Sequence, residues 1–177
     1  MKKLLIPSIV FLALSSLLSA ESSIYRMPPV SGKDLNGKPW VAPAGLPGSR
    51  TLVFVAFEEE QQTGIDSWLE GLKLKTAKHE TPWIEMPLIN DPGMFMRWFI
   101  NTGMKHGIPD PSVRAHVWTA YTDKKAFLDA CGMGSTNSIY ALVVNRNGQI
   151  LAMQSGNYSK AGAEQLLRAM QSPSKRH

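Results

Sequence analysis

A run of three glutamates follows an apolar segment, and it is the first place in this sequence where chemistry is expected. Thr51–Phe57 is apolar, and Glu58, Glu59 and Glu60 come directly after it, with Gln62 two residues further on. Acidic side chains beside the free N–H groups at a helix start stabilise the helix by ~0.3–1 kcal/mol each. The same run could instead form an acidic lip that binds a basic partner or a cation. The sequence leaves both interpretations open.

Soft metal ligands form the second candidate site, at Met94, Met96, Met104 and His106. Thioether and imidazole groups suit Cu(I), so these four residues make periplasmic copper handling an alternative function. Methionine at this density is more often a filler of apolar cores, and Met94 and Met96 would point to different faces of a helix. Neither a full ligand set nor a geometry follows from the spacing.

Cys131 is the one cysteine of the chain, so an intramolecular disulfide cannot form. A lone thiol could act as a nucleophile, which makes a single-cysteine thiol enzyme the second alternative. Cysteine is also among the residues most often buried, and Cys131 falls late on a short predicted helix. We therefore expect a buried side chain. The sequence holds no Cys-x-x-Cys and no other recognisable catalytic constellation, so it predicts a protein that is not an enzyme and needs no cofactor.

The elements that must position these residues begin with Thr51–Phe57, which is apolar on both faces and therefore typical of a central strand in a covered sheet. Pro82–Asn90 alternates as a second strand, and its prolines favour a place near the sheet margin. Gly93–Met104 is dense in apolar residues and predicts a largely buried helix. Between the two strands lies an amphipathic helix whose apolar stripe comprises Ile65, Trp68, Leu69, Leu72 and Ala77.

A surface region is expected after the second predicted helix. Lys105–Arg114 holds two prolines and a glycine and predicts an exposed loop. Beside it, Trp98 and Phe99 are the preferred surface candidates among the aromatic residues, because such side chains are enriched at binding hot spots. The predicted interaction surface extends over Asn101–Val113.

A third strand and a short helix are predicted next. Ala115–Tyr121 alternates between apolar and polar residues, as a half-buried strand does. Thr122-Asp123 can cap a helix that Gly132 or Gly134 ends, since aspartate is favoured at helix starts and glycine just beyond helix ends.

The strongest local signal in the sequence is a β-hairpin. Ser138–Val144 and Gln149–Met153 are apolar runs, and Asn147-Gly148 between them is the dipeptide preferred in tight hairpin turns. Ser159 can then cap a final amphipathic helix.

The first twenty residues have the features of a cleaved secretory signal peptide: Lys2 and Lys3, the apolar run Leu4–Leu18 and a small residue at Ala20. The apolar run falls short of the ~20 residues that span a bilayer, so no stable membrane anchor is expected. We predict a signal peptide 1–20, a proline-rich leader 21–47 and one domain 48–172, in a protein exported to the periplasm. The formal net charge is +5 with the signal peptide, and no basic, aromatic-rich element indicates nucleic-acid binding.

Two motifs resemble the thioredoxin-like fold in its peroxiredoxin-related form. Asp34–Pro39, ahead of Leu52–Phe54, is similar to the entry motif of that group, and Ala141–Ile150 is similar to its hairpin, with a glycine at Gly156 where one commonly follows. The resemblance covers Lys33–Met170. It implies an α/β fold with a central mixed β-sheet flanked by helices and a C-terminal β-hairpin and helix.

The chain departs from the redox families where their chemistry is placed. Those families carry a Cys-x-x-Cys, or a single peroxidatic cysteine, at the position of Glu59–Gln62, and a cis-proline near the position of Ile139. Without a thiolate at the junction there is no nucleophile there for disulfide exchange or peroxide reduction.

Pro92–Arg97 looks most like two cysteine-free branches, small exported bacterial proteins and the mitochondrial ATP-synthase assembly factor family. That resemblance implies a chaperone-like or assembly role. The leading hypothesis is a redox-inactive protein that binds another envelope protein through Glu58–Gln62 and Asn101–Val113.

Overall fold

The computed structural model describes residues 25–76, 81–90 and 94–172, and of residues 94–99 and 101 it describes the backbone alone. Within these ranges the strands are β1 (Val30–Lys33), β2 (Pro39–Ala42), β3 (Arg50–Ala56), β4 (Trp83–Ile89), β5 (Ala120–Tyr121), β6 (Tyr140–Asn145) and β7 (Ile150–Ser155). The helices are α1 (Gln62–Gly71), α2 (Met94–Gly107), α3 (Pro111–Arg114), α4 (Lys124–Cys131) and α5 (Lys160–Gln171), and a 3-10 turn (Glu59–Gln61) precedes α1.

β3 is the central strand of a five-stranded mixed sheet with the order β5-β4-β3-β6-β7. It runs parallel to β4, with Leu52 opposite Trp83, and antiparallel to β6, with Thr51 opposite Val144. The β-branched and aromatic side chains of β3 suit a strand that is covered on both faces. The predicted central strand is confirmed, and so is the predicted mixed sheet flanked by helices with a C-terminal hairpin and helix.

Two apolar layers cover the two faces of the sheet. On one face, Trp68 of α1 and Leu166 of α5 belong to the same buried cluster as Phe54 of β3. On the other face, Phe127 of α4 belongs to a second cluster with Val55. Alternate residues of β3 thus enter opposite layers, as the two-residue repeat of a strand requires.

The proline-rich segment 21–47 contributes to the second layer through β1 and β2, which pair antiparallel. The turn between them is held by Asp34, whose carboxylate accepts hydrogen bonds from the backbone N–H groups of Asn36 and Lys38, both at 2.9 Å. Upstream of β1 the chain passes the β6–β7 turn, where the Met27 N–H donates to the Gly148 carbonyl at 2.8 Å. In the sequence, Asp34–Lys38 predicts a turn and Pro39–Val41 predicts a short extended segment; both are present, whereas no sequence signal predicts β1.

The local signals of the last third are confirmed. Asp123 caps α4 by accepting from the Ala126 N–H at 3.1 Å, and α4 ends at Gly132 in left-handed backbone with φ of 70°. The β6–β7 hairpin turns through Gly148, whose φ is 80°. Ser159 caps α5 with its side chain. Each signal acts between neighbours in sequence, which is why it is visible without the fold.

The prediction that Lys105–Arg114 is exposed is confirmed for most of its residues, but the prediction of a loop is correct only for residues 108–110. α2 continues to Gly107, and α3 occupies the end of the predicted loop. Asp110 starts α3 by accepting from the Ser112 N–H at 2.8 Å, and Pro111 follows it. Proline is favoured at the first position of a helix, where its missing N–H costs nothing, so these two residues mark a helix start rather than a loop.

The prediction of a strand over Ala115–Tyr121 is correct only for its last two residues, which form β5. Upstream, Val117 makes a single bridge to Glu85. The N–H of His116 donates to a carbonyl of α3 at 2.9 Å, so the chain is still turning there. The ring of His116 stacks on Trp83 with centroids 4.0 Å apart. The apolar and polar residues of Ala115–Tyr121 thus alternate in an irregular segment that buries some of its side chains, and not in a strand.

Some predicted features lie outside the described residues, namely the signal peptide 1–20 and the last residue of the apolar stripe, Ala77. α1 ends earlier, at Gly71, and Leu72 follows it half-buried. Among the described ranges, no helix is both long enough and apolar enough to cross a membrane.

Replacing Gly148 with alanine should destabilise the protein more than the same change at Gly37. Both residues have positive φ, 80° and 87°, so each substitution meets backbone strain of ~1–2 kcal/mol. A Cβ at Gly148 would also lie 2.8 Å from the Met27 carbonyl oxygen, whereas a Cβ at Gly37 has nothing within 4 Å. We expect Gly148→Ala to lose ~1–3 kcal/mol more than Gly37→Ala in the free energy of unfolding, measured by urea denaturation. Equal losses of stability in the two variants would show that the Met27 segment moves away from the added Cβ at little cost in free energy.

Candidate binding site at the strand–helix junction

The junction between β3 and α1 comprises residues 57–62. Phe57 is buried, Glu58 has extended backbone with φ of −137° and ψ of 154°, and the 3-10 turn then leads into α1. The structure places all four predicted junction residues on this exposed segment: Glu58, Glu59, Glu60 and Gln62. The predicted grouping therefore exists as a continuous surface.

Gln61 fixes the junction with both atoms of its side-chain amide. Its Oε1 accepts from the Phe57 N–H at 2.8 Å, and its Nε2 donates to the Thr136 carbonyl at 2.6 Å. Thr136 lies in the loop before β6, so one side chain ties the end of β3 to a segment 75 residues later. Gln61 was not predicted from sequence, because no local pattern shows a side chain reaching across a junction.

Lys124, the first residue of α4, fixes the other side of the junction. Its Nζ donates to the Phe57 carbonyl at 2.7 Å and to Glu58 Oε1 at 2.9 Å. The Lys124 side chain is 18% exposed and that of Glu58 is 60% exposed. A pair open to solvent on one side contributes ~0–1 kcal/mol to stability, so its main effect is to orient Glu58 and to offset part of its charge. Lys124 was also missed from sequence.

The three glutamates precede the first turn of α1, and Glu59 and Glu60 lie in the first turn of the 3-10 segment that continues directly into α1. α1 has no acidic residue in its first turn, and Glu58 makes no side-chain cap hydrogen bond to the 3-10 turn. The effect of a helix dipole falls off within one turn. Glu59 and Glu60 can therefore stabilise the 3-10 turn that contains them, but they are not in the first turn of α1. Their exposed carboxylates face solvent beside Gln62.

A buried carboxylate lies beneath this surface, at Glu85 in the middle of β4. Glu85 is 5% exposed, and its Oε2 is 3.5 Å from Nε2 of Gln62. Burial raises the pKa of Glu85, while Lys75 and then the Gln62 hydrogen bond lower it and Asp66 raises it. The predicted alternation of β4 assigned Glu85 to the polar face, but both faces of the strand are covered. Its only sequence signal was a glutamate inside an apolar strand.

The predicted aromatic and metal residues lie on α2. The side chains of Trp98, Phe99, Met94 and Met96 are outside the described part of the structure. Beyond them on the same helix, Met104 Sδ accepts from Thr119 Oγ1 at 3.8 Å, and His106 Nδ1 is 2.7 Å from the Thr102 carbonyl oxygen. Since a carbonyl only accepts, Nδ1 of His106 carries a proton, which leaves Nε2 of the exposed ring for any ligand.

Cys131 is buried, as expected, in the cluster on the sheet face opposite α1. Its Sγ lies 3.9 Å from the Arg26 carbonyl oxygen, and the ring of Tyr25 covers the neighbouring Gly132. Burial raises the pKa of the Cys131 thiol to about 12, so the reactive thiolate is scarce at neutral pH. The thiol belongs to the core and takes no part in the junction.

Replacing Gln61 with alanine should destabilise the protein, because it leaves the Phe57 N–H and the Thr136 carbonyl without their shared partner. An unsatisfied buried backbone group costs ~1–3 kcal/mol, and we expect a loss in this range in urea denaturation. Glu60→Ala, an exposed change one residue away, should stay within ~0.5 kcal/mol of the parent protein. Equal and small effects of both changes would mean that water replaces the Gln61 amide.

Replacing Glu85 with glutamine should make stability less sensitive to pH. Because the folded pKa is raised, the unfolded chain loses this proton first, near its ordinary value of 4.5. Stability from the neutral acid is thus fully present below the unfolded pKa and is lost as the pH rises through the folded pKa. Relative to the parent protein, Glu85→Gln should gain stability between pH 4 and pH 8 in thermal unfolding. Glu70→Gln, at an exposed site on α1, should follow the parent curve, and a parallel Glu85→Gln curve would contradict this assignment.

Comparisons with known proteins place this geometry in a wider group. No family model matches the sequence, and no curated protein matches it. Among solved structures, a protein from Aquifex aeolicus VF5, provisionally described as an electron transfer protein, is 17% identical with a TM-score of 0.56, over 84% of this chain and 97% of that one. BsSco, from the Sco family of cytochrome c oxidase assembly proteins, is 11% identical with a TM-score of 0.52, over 82% and 92%.

The exposed lipoprotein thioredoxin Etrx1 of Streptococcus pneumoniae strain TIGR4 is also similar, at 12% identity and a TM-score of 0.51, over 80% of this chain and 98% of that one. These likenesses cover nearly the whole of each neighbour, and they agree with the mixed sheet and its flanking helices. Identities this low establish the fold and no more. The chain has a thioredoxin-like fold.

Proposed function

We propose that the protein is an exported, redox-inactive member of the thioredoxin-like superfamily that binds another envelope protein, in a chaperone-like or assembly role. Residues 57–62 form the centre of the binding surface. The observation that carries this proposal is the double hydrogen bond of Gln61, which makes the junction a fixed surface. This proposal keeps the resemblance to cysteine-free branches of the superfamily as its sequence support.

The chemistry of the junction supports binding rather than thiol exchange. Disulfide exchange needs an accessible thiolate, and the residues between Phe57 and Gln62 offer carboxylates and amides instead. Cys131, the single thiol, is held in the opposite core layer with a pKa raised to about 12. A catalytically inert protein is the function that these two facts favour.

The rigidity of the junction supports recognition of a partner. Gln61 and Lys124 hold the backbone at Phe57 from two sides, through hydrogen bonds of 2.8 Å and 2.7 Å. A preorganised surface loses less conformational entropy on binding than a flexible one, so more of the contact energy becomes affinity. Glu59 and Glu60 project from this support, and they favour a partner that presents basic side chains.

Likeness in fold supports the proposed location and role. BsSco is described as a member of a family of cytochrome c oxidase assembly proteins, and Etrx1 as an exposed lipoprotein. Together with the predicted signal peptide 1–20, these neighbours favour a protein that works outside the cytoplasm. By the same likeness in fold, we propose an assembly role for this chain.

The two alternative functions have less support from the described residues. Copper handling would need Met94, Met96, Met104 and His106 to converge, yet Met104 already accepts a hydrogen bond from Thr119. Met104 and His106 are also two residues apart on one helix, which directs them about 200° apart around its axis. The thiol-enzyme alternative conflicts with the burial of Cys131.

A crosslinked pull-down of the tagged chain from residue 21, made from its native envelope, tests the proposal. The test variant carries Glu59→Lys and Glu60→Lys, and it leaves Glu58 in place because reversing that residue would repel Lys124 at 2.9 Å. The matched control carries Glu70→Lys and Glu164→Lys, two exposed residues away from the junction, of which Glu164 has only a 4.0 Å pair with the exposed Arg168. Both variants change the net charge by the same amount.

We expect one abundant partner to be recovered with the parent chain and with the control, and to be lost with the test variant. Retention by both variants would remove the junction as the binding surface. Recovery of no specific partner by any of the three chains would count against protein binding as the function.

A further inference from the structure

We propose that Glu85 is a proton-operated switch that sets the position of Gln62 and the first turn of α1, and thereby regulates the junction by pH. The regulatory part rests on the proposed binding function, since it concerns the same surface. The switch itself is a property of the isolated protein. It follows from the placement of one carboxylate beneath an otherwise rigid junction.

The backbone of Glu85 cannot move to relieve a buried charge. β4 pairs with β3 on one side, where Glu85 stands opposite Phe54. On the other side, the Glu85 N–H donates to the His116 carbonyl at 2.9 Å, and the Glu85 carbonyl accepts from the Trp118 N–H at 2.8 Å. Any response to ionisation must therefore come from the groups that face the side chain.

Those groups give the carboxylate little solvation. Nε2 of Gln62 is its hydrogen-bond donor within the described residues, and at 3.5 Å it is at the limit of a hydrogen bond. A buried carboxylate is costly unless several hydrogen bonds or a close cation replace its water. One long hydrogen bond is adequate for a neutral acid but not for a carboxylate.

Among the residues that the structure describes, the charged and titratable groups near Glu85 come from α1, from the segment after α1 and from the segment before β5. Asp66 lies one turn beyond Gln62 on α1, and Lys75, after the end of α1, pairs with Asp66 at 3.0 Å. His116, before β5, contacts Glu85 through its backbone while its ring stacks on Trp83. Lys75 favours the ionised form of Glu85 and Asp66 opposes it. Because Lys75 is shared with Asp66, it does not neutralise Glu85 alone.

The two protonation states of Glu85 thus favour different positions of the start of α1. With its proton, Glu85 is satisfied by the present arrangement, in which Nε2 of Gln62 lies 3.5 Å from its Oε2. Without it, the carboxylate requires a closer Gln62 amide or entering water, and both displace the exposed start of α1. Gln61 is anchored at Phe57 and Thr136, so the displacement is confined to Gln62 and the turn that follows.

Nuclear magnetic resonance of the full mature chain, with labelled glutamate and glutamine side chains, tests the switch. We expect the Glu85 carboxyl carbon to titrate above 4.5, and the Gln62 side-chain amide and the backbone amides of residues 62–66 to shift with the same midpoint. In Glu85→Gln these shifts should be lost. Lys75→Gln should raise the midpoint and Asp66→Asn should lower it, because the two charges act in opposite directions.

Gln62→Ala provides a second variant at an exposed position, with Glu85 retained. It should raise the Glu85 midpoint, because it removes a hydrogen bond that favours the carboxylate. Glu70→Gln is the matched control on α1 and should leave every midpoint unchanged. The switch is refuted if residue 62–66 shifts with the Glu85 midpoint persist in Glu85→Gln, or if Glu85 titrates at its ordinary value.

The switch and the proposed function fail separately. The resonance experiment needs no partner, so failure to capture a partner leaves the switch standing and rejects only the binding function. If a partner is captured, its recovery by the parent chain should differ between pH 5 and pH 8, and recovery by Glu85→Gln should be the same at both. An identical pH dependence for the two chains would reject the regulation.

Discussion

The burial of β3 on both faces is the constraint on which the rest of the structure depends. A strand without a solvent face needs hydrogen-bonded neighbours on both edges and an apolar layer on each side. β4 and β6 supply the edges, α1 and α5 supply one layer, and α4 with β1 and β2 supplies the other. The end of β3 is therefore one of the few places where this strand meets solvent. That exposed end is the junction.

In a thioredoxin-like fold, a junction of this kind combines backbone turning with the start of a helix, which suits both chemistry and recognition. This chain uses side-chain amides there. Gln61 takes the hydrogen bonds that hold the turn, and Gln62 reaches down to Glu85. Two neighbouring glutamines thus have opposite roles, since one fixes the surface and the other connects it to a buried acid. A reactive group would have to displace one of them.

Most of the fold could be predicted from the sequence, because the sequence signals for its turns and helix ends are local. Asn147-Gly148 specified a hairpin and Asp123 a helix start through contacts within a few residues. Of the candidate site, only the exposed residues of the junction could be predicted. Gln61 acts through a carbonyl 75 residues away, and Glu85 is buried, with Gln62 of α1 against it, on the face of β4 that strand alternation assigns to solvent. Such properties arise from tertiary contacts, which residue spacing does not encode.

The pairing of Met27 with Gly148 has a consequence for the order in which the molecule forms. Synthesis proceeds from the N-terminus, so Met27 is available long before its partner turn exists, and about 120 residues must follow before the hydrogen bond can close. Met27 is a core residue at 2% exposed and belongs to the same cluster as Cys131, so this layer closes only after the β6–β7 turn has been made. The thiol is therefore enclosed only after two segments far apart in the chain have met.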